Sequence, residues 1–557
     1  MNAADPPRSS ARNAGDGRVT RAKGPRHARA SSTTPPSSRR SASRRRHWGR
    51  RILISVVALA VLLAGGVFAD YYYLGSLIHR TTVHSLQKST STENILLVGS
   101  TNRCALTVQN KAYGLCSQGV TGINGDIVMV LHLNLTTHAG SLISLPRDTF
   151  VPNARTTGAN KIDAALYQGP SQLAAAIEED FAIPISHYVE LNFDTFANVV
   201  NALGGVRMYF PIPVFDAQSG LNIKSAGCYL LDGYHALQVV RARHLQYQVV
   251  KGDLNHATWP QEALSDIARI RRTHEFLRVL AKEVAARGLS NPVTDQSLAA
   301  SVLPSLTVDQ GFSESQMVSL AKTFATTNVT SVPQVTYPVV GVNTGSYLYQ
   351  GYYYGDVVFP LQPTGYDAIN TLFQVGANQN IFTDAPLPSP RTIRESVVNG
   401  TAITGQAGTL AEGLTTRRFS VVGTGNVTPD GVENETIVWY GGAPPPANGD
   451  WKSPQLADAQ AVMHQLQGPA IMGYDPALVT SGADVTVQTG NDVALAPPTL
   501  VTEKKPAVPA STLSAPVYDP PTLKSDTKLS APTALAQPLA PWDPRSCNAA
   551  GTGPGSF

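Results

Sequence analysis

Short apolar, β-branched runs bounded by Gly, Asn or Pro recur through the middle of the chain: Asn94-Ile-Leu-Leu-Val-Gly99, Asp126-Ile-Val-Met-Val-Leu-His-Leu133 and Ser141-Leu-Ile-Ser-Leu145. Such runs predict buried strands. Helical spacing alternates with them at about 171–181, 193–203 and 260–287, which predicts an α/β layer fold with helices covering a sheet. Weaker signals over 290–385 continue the same domain. A second unit starts near Thr392. There 396–401 reads as strand and turn, 406–417 as helix and 418–423 as strand, a βαβ start to a smaller α/β domain over 392–495. A further strand at 435–440 and a helix at 455–466 belong to it. From 496 to 557 the chain turns rich in Pro, Ala, Ser and Thr, which predicts a disordered tail.

The longest apolar run stands apart. Residues 52–69 hold no charge and at 1.5 Å per residue reach ~27 Å, close to the thickness of a bilayer's hydrocarbon core. Tyr71, Tyr72 and Tyr73 follow, the rings expected at a headgroup boundary. Thirteen Arg and one Lys precede the run within residues 1–51, against Asp5 and Asp16. The basic flank predicts a retained single-pass transmembrane helix, with a disordered cytoplasmic tail at 1–51 and everything beyond Asp70 outside the cell. A cleaved signal peptide fits less well, because no small-x-small site precedes the tyrosines. Polar residues 70–93 read as a stalk.

Charge changes the picture only once it is divided. The whole chain of 557 residues is +4, and the tail alone is +12, so the rest carries −8. A nucleic-acid-binding body is excluded. Four cysteines rule out a disulfide-dense miniprotein. Cys104 and Cys116 lie 12 positions apart on the oxidising side, and a disulfide is expected there. Cys228 and Cys547 have no evident partner and read as free thiols, the alternative being a bond to each other that would tether the tail to the core.

Arginines in costly places carry the chemical signal. Arg147 follows an apolar strand in Ser144-Leu-Pro-Arg-Asp148, a strand end where α/β sheets build sites. Arg241 and Arg243, at i and i+2, share a face if the segment is extended. On the helix over 260–287, Asp266 and Thr273 fall within the apolar stripe and Arg269 at its edge, with Arg272 in the same cluster. One such cluster reads best as an internal ion-pair network in which Asp148 and Asp266 neutralise the arginines. Three in one domain favour an anion site, because guanidinium forks grip phosphate and stay charged. Asp126, at the start of a strand, is the candidate metal ligand or a turn residue. Gly204-Gly205 reads as a helix C-cap. There is no Walker or dinucleotide pattern, His274-Glu275 lacks the second His of a zincin, and no serine elbow occurs.

These motifs together resemble the LytR-CpsA-Psr family, particularly its actinobacterial members. The likeness runs through residues 94–100, Gly125-Asp-Ile-Val-Met-Val, Ser144-Leu-Pro-Arg-Asp148, Asn160-Lys-Ile-Asp-Ala-Ala165, His187–Phe193, Leu203-Gly-Gly-Val206, Leu231–Leu237, Val240-Arg-Ala-Arg243 and Asp266–Arg272. Residues 396–423 resemble the LytR C-terminal domain. The resemblance implies an α/β/α sandwich around a mixed sheet over 94–385, motif core 94–285, enclosing a lipid tail. It implies a phosphotransferase that takes a glycopolymer, in actinobacterial relatives arabinogalactan, from a polyprenyl-pyrophosphate carrier and joins it to a peptidoglycan sugar hydroxyl. Arg147, Arg241, Arg243, Arg269 and Arg272 match the pyrophosphate-binding arginines, with Arg147, Asp148, Arg243 and Arg269 expected to be catalytic. Asp126 matches a ligand for Mg²⁺ (or Mn²⁺), and Lys161 and Asp148 match charged supporting positions.

The chain departs from the family at four places: Thr101 for Asp, Asp163 for Asn, Asn201 for Asp and Thr273 for Gln. Thr101 removes a carboxylate near the metal. Residues 244–265 lengthen the link between arginine clusters, as a lid would. Two other readings compete with the ligase: a polyprenyl-diphosphate pyrophosphatase, and a catalytically weak wall-binding scaffold anchored in the membrane.

Overall fold

Strands form where the apolar runs lie, and they assemble into a mixed seven-stranded sheet. In chain order these are β1 (His79–Thr81), β2 (Thr92–Ser100), β3 (Gly125–Asn134), β4 (Ala139–Leu145), β5 (His187–Leu191), β6 (Leu306–Asp309) and β7 (Gln334–Thr336). Their spatial order is β1-β6-β5-β2-β3-β4-β7. β2, β3 and β4 run antiparallel to their neighbours in that group, whereas β5 lies parallel to β2 and β7 parallel to β4. The computed structural model describes residues 73–497 and 538–547, apart from 74, 89–90, 102–103, 105–114, 120–121, 264, 288–302, 325–331, 342–346, 428–433 and 444–452. The basic tail and the apolar run at 52–69 lie outside the described residues. Among the described residues no helix is long and apolar enough to cross a membrane.

Both sheet faces are covered, as continuous apolar runs require. Leu96, Val98, Val128, Val130, Ile143 and Leu145 enter one core with Leu173, Ile177 and Phe181, residues of α1 (Pro170–Phe181). Ile95 and Leu133 enter another with Val308 and Phe312, as strand alternation dictates. Asn192 caps α2 (Phe193–Ala202) by accepting the Thr195 N–H, and Asp232 caps α3 (Gly233–Arg241) through the His235 N–H. Gly233 is required where α3 meets α2, since a Cβ there would stand 2.3 Å from the Ala197 carbonyl oxygen. The long helix α4 (Ser265–Arg287) is tied to β4 by a 2.6 Å hydrogen bond between Ser144 Oγ and His274 Nε2.

A second sheet contains the expected βαβ unit: Arg394–Asn399 and Ser420–Asn426 are parallel, with the helix Gln406–Thr416 between them. Val339–Gly341 and Val358–Gln362, which precede residue 392, also join this sheet, through Leu361 opposite Pro469. The two sheets share one apolar core. Tyr440 Oη donates to the Glu179 carbonyl at 2.9 Å, and Asn153 exchanges two 2.8 Å hydrogen bonds with the Tyr474 backbone.

Three expectations need correction. Part of the expected stalk is β1, the edge strand, with buried Ile78 and Val83 flanking it. The expected lid carries buried Trp259, and its strand Gln246–Tyr247 pairs with Val214–Asp216. The tail is not wholly loose: residues 538–547 return to the domain. Arg545–Ser546 pairs with Val206–Phe210, Trp542 stacks on Tyr247 at 3.8 Å, and Cys547 is bonded to Cys228 rather than free. Tail composition alone hides this, because a few residues in a Pro-rich stretch make the contact. Cys104 and Cys116 are joined.

Candidate functional site

Pro146 ends the β4 ladder, and the Thr149 N–H turns back to its carbonyl at 3.0 Å. Arg147 and Asp148 therefore leave the sheet at the strand's end. Arg147 reaches Asp126, at the start of β3, with Nη1 2.5 Å from Oδ1, and its Nε lies 3.5 Å from Asp148 and 3.8 Å from Asp266. Arg243, two residues beyond α3, stands 3.4 Å from Asp148 and 3.3 Å from Asp266. Arg269, one turn into α4, lies 3.1 Å from Asp266. Lys161 Nζ donates to Asp148 at 2.9 Å. Four cations from four separate elements thus meet three carboxylates: Asp148 and Asp266 are each shared by three cations, while Asp126 pairs with Arg147 alone.

The balance is one positive charge while the neighbouring Asp163 holds its proton, and the pairing is incomplete. The Nε groups of Arg147, Arg243 and Arg269 are buried with no hydrogen-bond acceptor among the described residues. Asp266 Oδ1 lies near three guanidinium groups without the geometry of a hydrogen bond to any of them. Unfilled donors of this kind are costly unless a ligand completes them. Burial raises the Asp148 carboxyl, but Arg147, Lys161 and Arg243 more than offset that and hold it below its ordinary range. Asp163, whose N–H donates to the Arg147 carbonyl at 3.2 Å, is different. Burial pushes its carboxyl up to about 7, against the pull of Arg147 and with the push of Asp148 and Asp126.

Beside the cluster, a cavity between sheet and helix is lined by Asp126 to Met129 of β3, Ser144 and Leu145 of β4, and Arg269, Ile270 and Thr273 of α4. Charged groups and apolar wall meet there, but the gap is only about the size of one water, ~10 Å³, so sheet and helix must part before anything larger enters. The donor set does not make a resident metal site. Asp126 is already engaged by Arg147, Thr101 bonds to the Asn124 carbonyl, and among the described residues no three acidic, His or Cys side chains are placed to hold a metal ion.

One expected site arginine has its contacts elsewhere, and a second is set differently from the extended pair. Arg272 is fully buried, paired with Glu262 and Asp543, and donates to the Ala242 carbonyl at 2.6 Å. Arg241 and Arg243 do not share an extended face, because α3 continues through Arg241. Arg241 sits over the Phe193 ring, 4.7 Å from its centroid. Two residues noted in the sequence without a site role are neighbours of the site. Asp163, a departure from the family's Asn, lies beside Arg147. His274, set aside as half of a metal motif and held neutral by burial and Arg278 at about 3, bonds to the cavity-lining Ser144.

Residues 392–492 match the model described as LytR cell envelope-related transcriptional attenuator. A Corynebacterium glutamicum protein named "Probable cell wall biosynthesis protein LcpB" is 32% identical over 262 residues, 46% of this chain and 58% of that protein. The match thus spans a little over half the relative's length. An Oceanobacillus iheyensis protein named as the polyisoprenyl-teichoic acid–peptidoglycan teichoic acid transferase TagU is 26% identical, over 41% of this chain and 73% of its own. Among solved structures, a LytR-Csp2A-Psr enzyme from Actinomyces oris aligns with TM-score 0.38 and 22% identity, over 47% of this chain and 88% of that one. Residues 75–357, just over half the chain, match the LytR_cpsA_psr family model, and the chain belongs to that family.

Proposed function

We propose that this protein moves a glycopolymer from a polyprenyl-diphosphate carrier to a sugar hydroxyl of peptidoglycan, leaving a phosphodiester link. The observation that carries the reading is the gathering of Arg147, Lys161, Arg243 and Arg269 beside an apolar cavity, with three arginine Nε donors unfilled. The diphosphate would fill those donors, and the prenyl chain would enter between β3, β4 and α4 only as the helix moves off the sheet, since the gap there is water-sized. The proposed polymer is arabinogalactan, which the resemblance to actinobacterial members implies. The site is proposed to lie outside the cytoplasmic membrane, anchored through 52–69, near a lipid that cannot leave the bilayer.

In this reading the hydroxyl oxygen attacks the sugar-bearing phosphorus. Its P–O bond forms as the bridging P–O bond breaks, and polyprenyl phosphate departs with the bridging oxygen and its electron pair. Phosphoryl transfer needs positioning and charge stabilisation more than a protein nucleophile, and the guanidinium groups supply both. Asp148, kept ionised by three cations, orients Lys161 and Arg243. Asp126, at the cavity's edge, is the proposed acceptor of the hydroxyl's proton. A Mg²⁺ ion would take its oxygens mainly from the diphosphate, and no step here depends on one.

The test is incubation of the full chain with a labelled lipid-diphosphate glycan and peptidoglycan. Label joined to the wall supports transfer. Release of polyprenyl phosphate without attachment would make the protein a diphosphatase, and absence of both products would leave a wall-binding scaffold.

A further inference from the structure

A two-stranded ribbon beside the site takes no part in the chemistry above. Leu348–Tyr349 pairs with Tyr352–Tyr353, Leu348 opposite Tyr353 and Tyr349 opposite Tyr352. Gln350 and Gly351 between them have φ of 47° and 79°, both in the left-handed region, as a tight two-residue hairpin turn requires. Opposed residues share a face. On the inner face Tyr349 packs against Phe150 at 5.1 Å between ring centroids. Phe150 also meets Tyr347 and Tyr354 edge-on at 5.0 and 5.1 Å. The outer face is uncovered, with Tyr353 74% exposed and Leu348 exposed beside it; Tyr352, opposite Tyr349 and so on the other face, is 71% exposed as well.

This ribbon is joined directly to the cation cluster. Phe150 pairs in register with Lys161, whose ammonium is the one bound to Asp148. Val358, just beyond the ribbon, donates its N–H to the Asp148 carbonyl at 3.0 Å. One layer of aromatic rings therefore separates the exposed tyrosines from the strand pair that presents Lys161.

Rings left in water forfeit the burial that would stabilise them, and clustered exposed rings mark binding surfaces. The chemistry of the patch selects the occupant. Residues 347–356 contain no Lys or Arg and one acidic residue, Asp356. Anionic lipid and nucleic acid are met by basic side chains. A neutral, hydroxyl-rich ring with an apolar C–H face suits tyrosine, which offers a rigid ring surface and a hydrogen-bonding tip at small entropic cost. Gln350 adds an amide at the turn.

We propose that the ribbon is a sugar-binding platform that seats a glycan strand of the acceptor, peptidoglycan, and brings its hydroxyl toward Lys161 and Arg147. The proposal rests on the transfer reading and names its acceptor surface.

Sedimentation of the full chain in detergent with polymer-free peptidoglycan sacculi tests it, with binding of a polyprenyl-diphosphate glycolipid measured in parallel. Tyr352→Ala/Tyr353→Ala lowers sacculus affinity about tenfold or more, as loss of two stacking rings implies, and leaves glycolipid binding unchanged. Tyr352→Phe/Tyr353→Phe keeps most of the affinity. Unchanged sacculus binding in the alanine variant overturns the proposal, and weakened association with lipid nanodiscs in that case assigns the ribbon to the membrane. A wild-type chain that does not sediment overturns it as well. Wild-type binding that depends on the tyrosines but never leads to attachment sinks the transfer reading and leaves the platform standing.

Discussion

Asp543 and Arg272 are both fully buried and lie 3.4 Å apart, although 271 positions separate them in the chain. Arg272 is also paired with Glu262, and Arg271 bonds to Asp543 at 2.6 Å and to Glu262 at 2.7 Å. Two cations and two carboxylates thus close a buried square between α4, the segment before it and the returning C-terminus.

Breaking that square should unfold rather than inactivate. Removing one member of a buried pair leaves an uncompensated charge, at a cost of about 3–5 kcal/mol. Asp543→Ala is expected to lower the free energy of unfolding by that amount, measured by denaturant titration of the full chain with both disulfides intact. A change below about 1 kcal/mol would mean that Glu262 alone neutralises both arginines.

Arg147 should behave in the opposite way. It is paired with the cavity-lining Asp126, one of four cations in the cluster, and its loss removes a donor aimed at developing charge. Arg147→Ala is expected to cut transfer by about 10²–10³-fold while leaving the unfolding midpoint close to that of the wild type. Arg147→Lys keeps the charge but not the fork, and recovers only part of the rate. The same pair of measurements on Arg272→Ala should show stability falling first. Equal loss of stability in Arg147→Ala and Arg272→Ala would place both arginines in the scaffold.

The contrast shows what local pattern carries. Arg147 was legible because a strand end before a proline has one place to go, and Arg269 because it interrupts an apolar stripe. Arg272 shares that helix but not that destination. Its partners lie in a linker that reads as a lid and a tail that reads as disordered, and no spacing rule connects either to α4. Arg241 was misread because Val239 and Val240 favour strand, while the Asp232 cap and the packing of α3 on α2 keep the segment helical. The layers of the main fold were legible for the opposite reason: strands buried on both faces read as unbroken apolar runs.

Asp163 makes donor binding depend on pH. With its carboxyl pushed up to about 7 by burial, the group is neutral at pH 6 and ionised at pH 8. Ionisation adds a negative charge beside Arg147, where the diphosphate should bind. Affinity for a polyprenyl-diphosphate glycolipid, whose own phosphates stay ionised across this range, is therefore expected to weaken by roughly tenfold from pH 6 to pH 8. Asp163→Asn should bind at pH 8 as the wild type does at pH 6. Titration by isothermal calorimetry at the two pH values checks this, and a wild-type affinity flat across the range would remove Asp163 from the site's electrostatics.

Stability should fall over a similar range for a separate reason. The last turn of α1 is Glu178-Glu179-Asp180, three carboxyls at a helix C-terminus, where the dipole disfavours negative charge. All three are buried. Burial raises Glu178 and Asp180 well above their ordinary values and Glu179 to about 8. Glu178 accepts the Ile185 N–H and Asp180 the Asn153 N–H, each at 3.0 Å, and one oxygen of each has no partner among the described residues. A carboxyl that holds its proton more tightly when folded contributes its full stability below the unfolded value near 4.5, and loses it as pH rises through the folded value. For Glu179 that window runs from about 4.5 to about 8. Denaturant unfolding is expected to show roughly 2 kcal/mol less stability at pH 7.5 than at pH 5.5, within the limit of ~1.4 kcal/mol per pH unit for one group. Glu179→Gln, which stays neutral, should flatten the curve and raise stability at pH 7.5. The Tyr440 hydroxyl donates to the Glu179 carbonyl, not to its side chain, so that tie between α1 and the second sheet survives the substitution. A wild-type curve that rises with pH over this window would show that these carboxyls ionise freely in the folded protein.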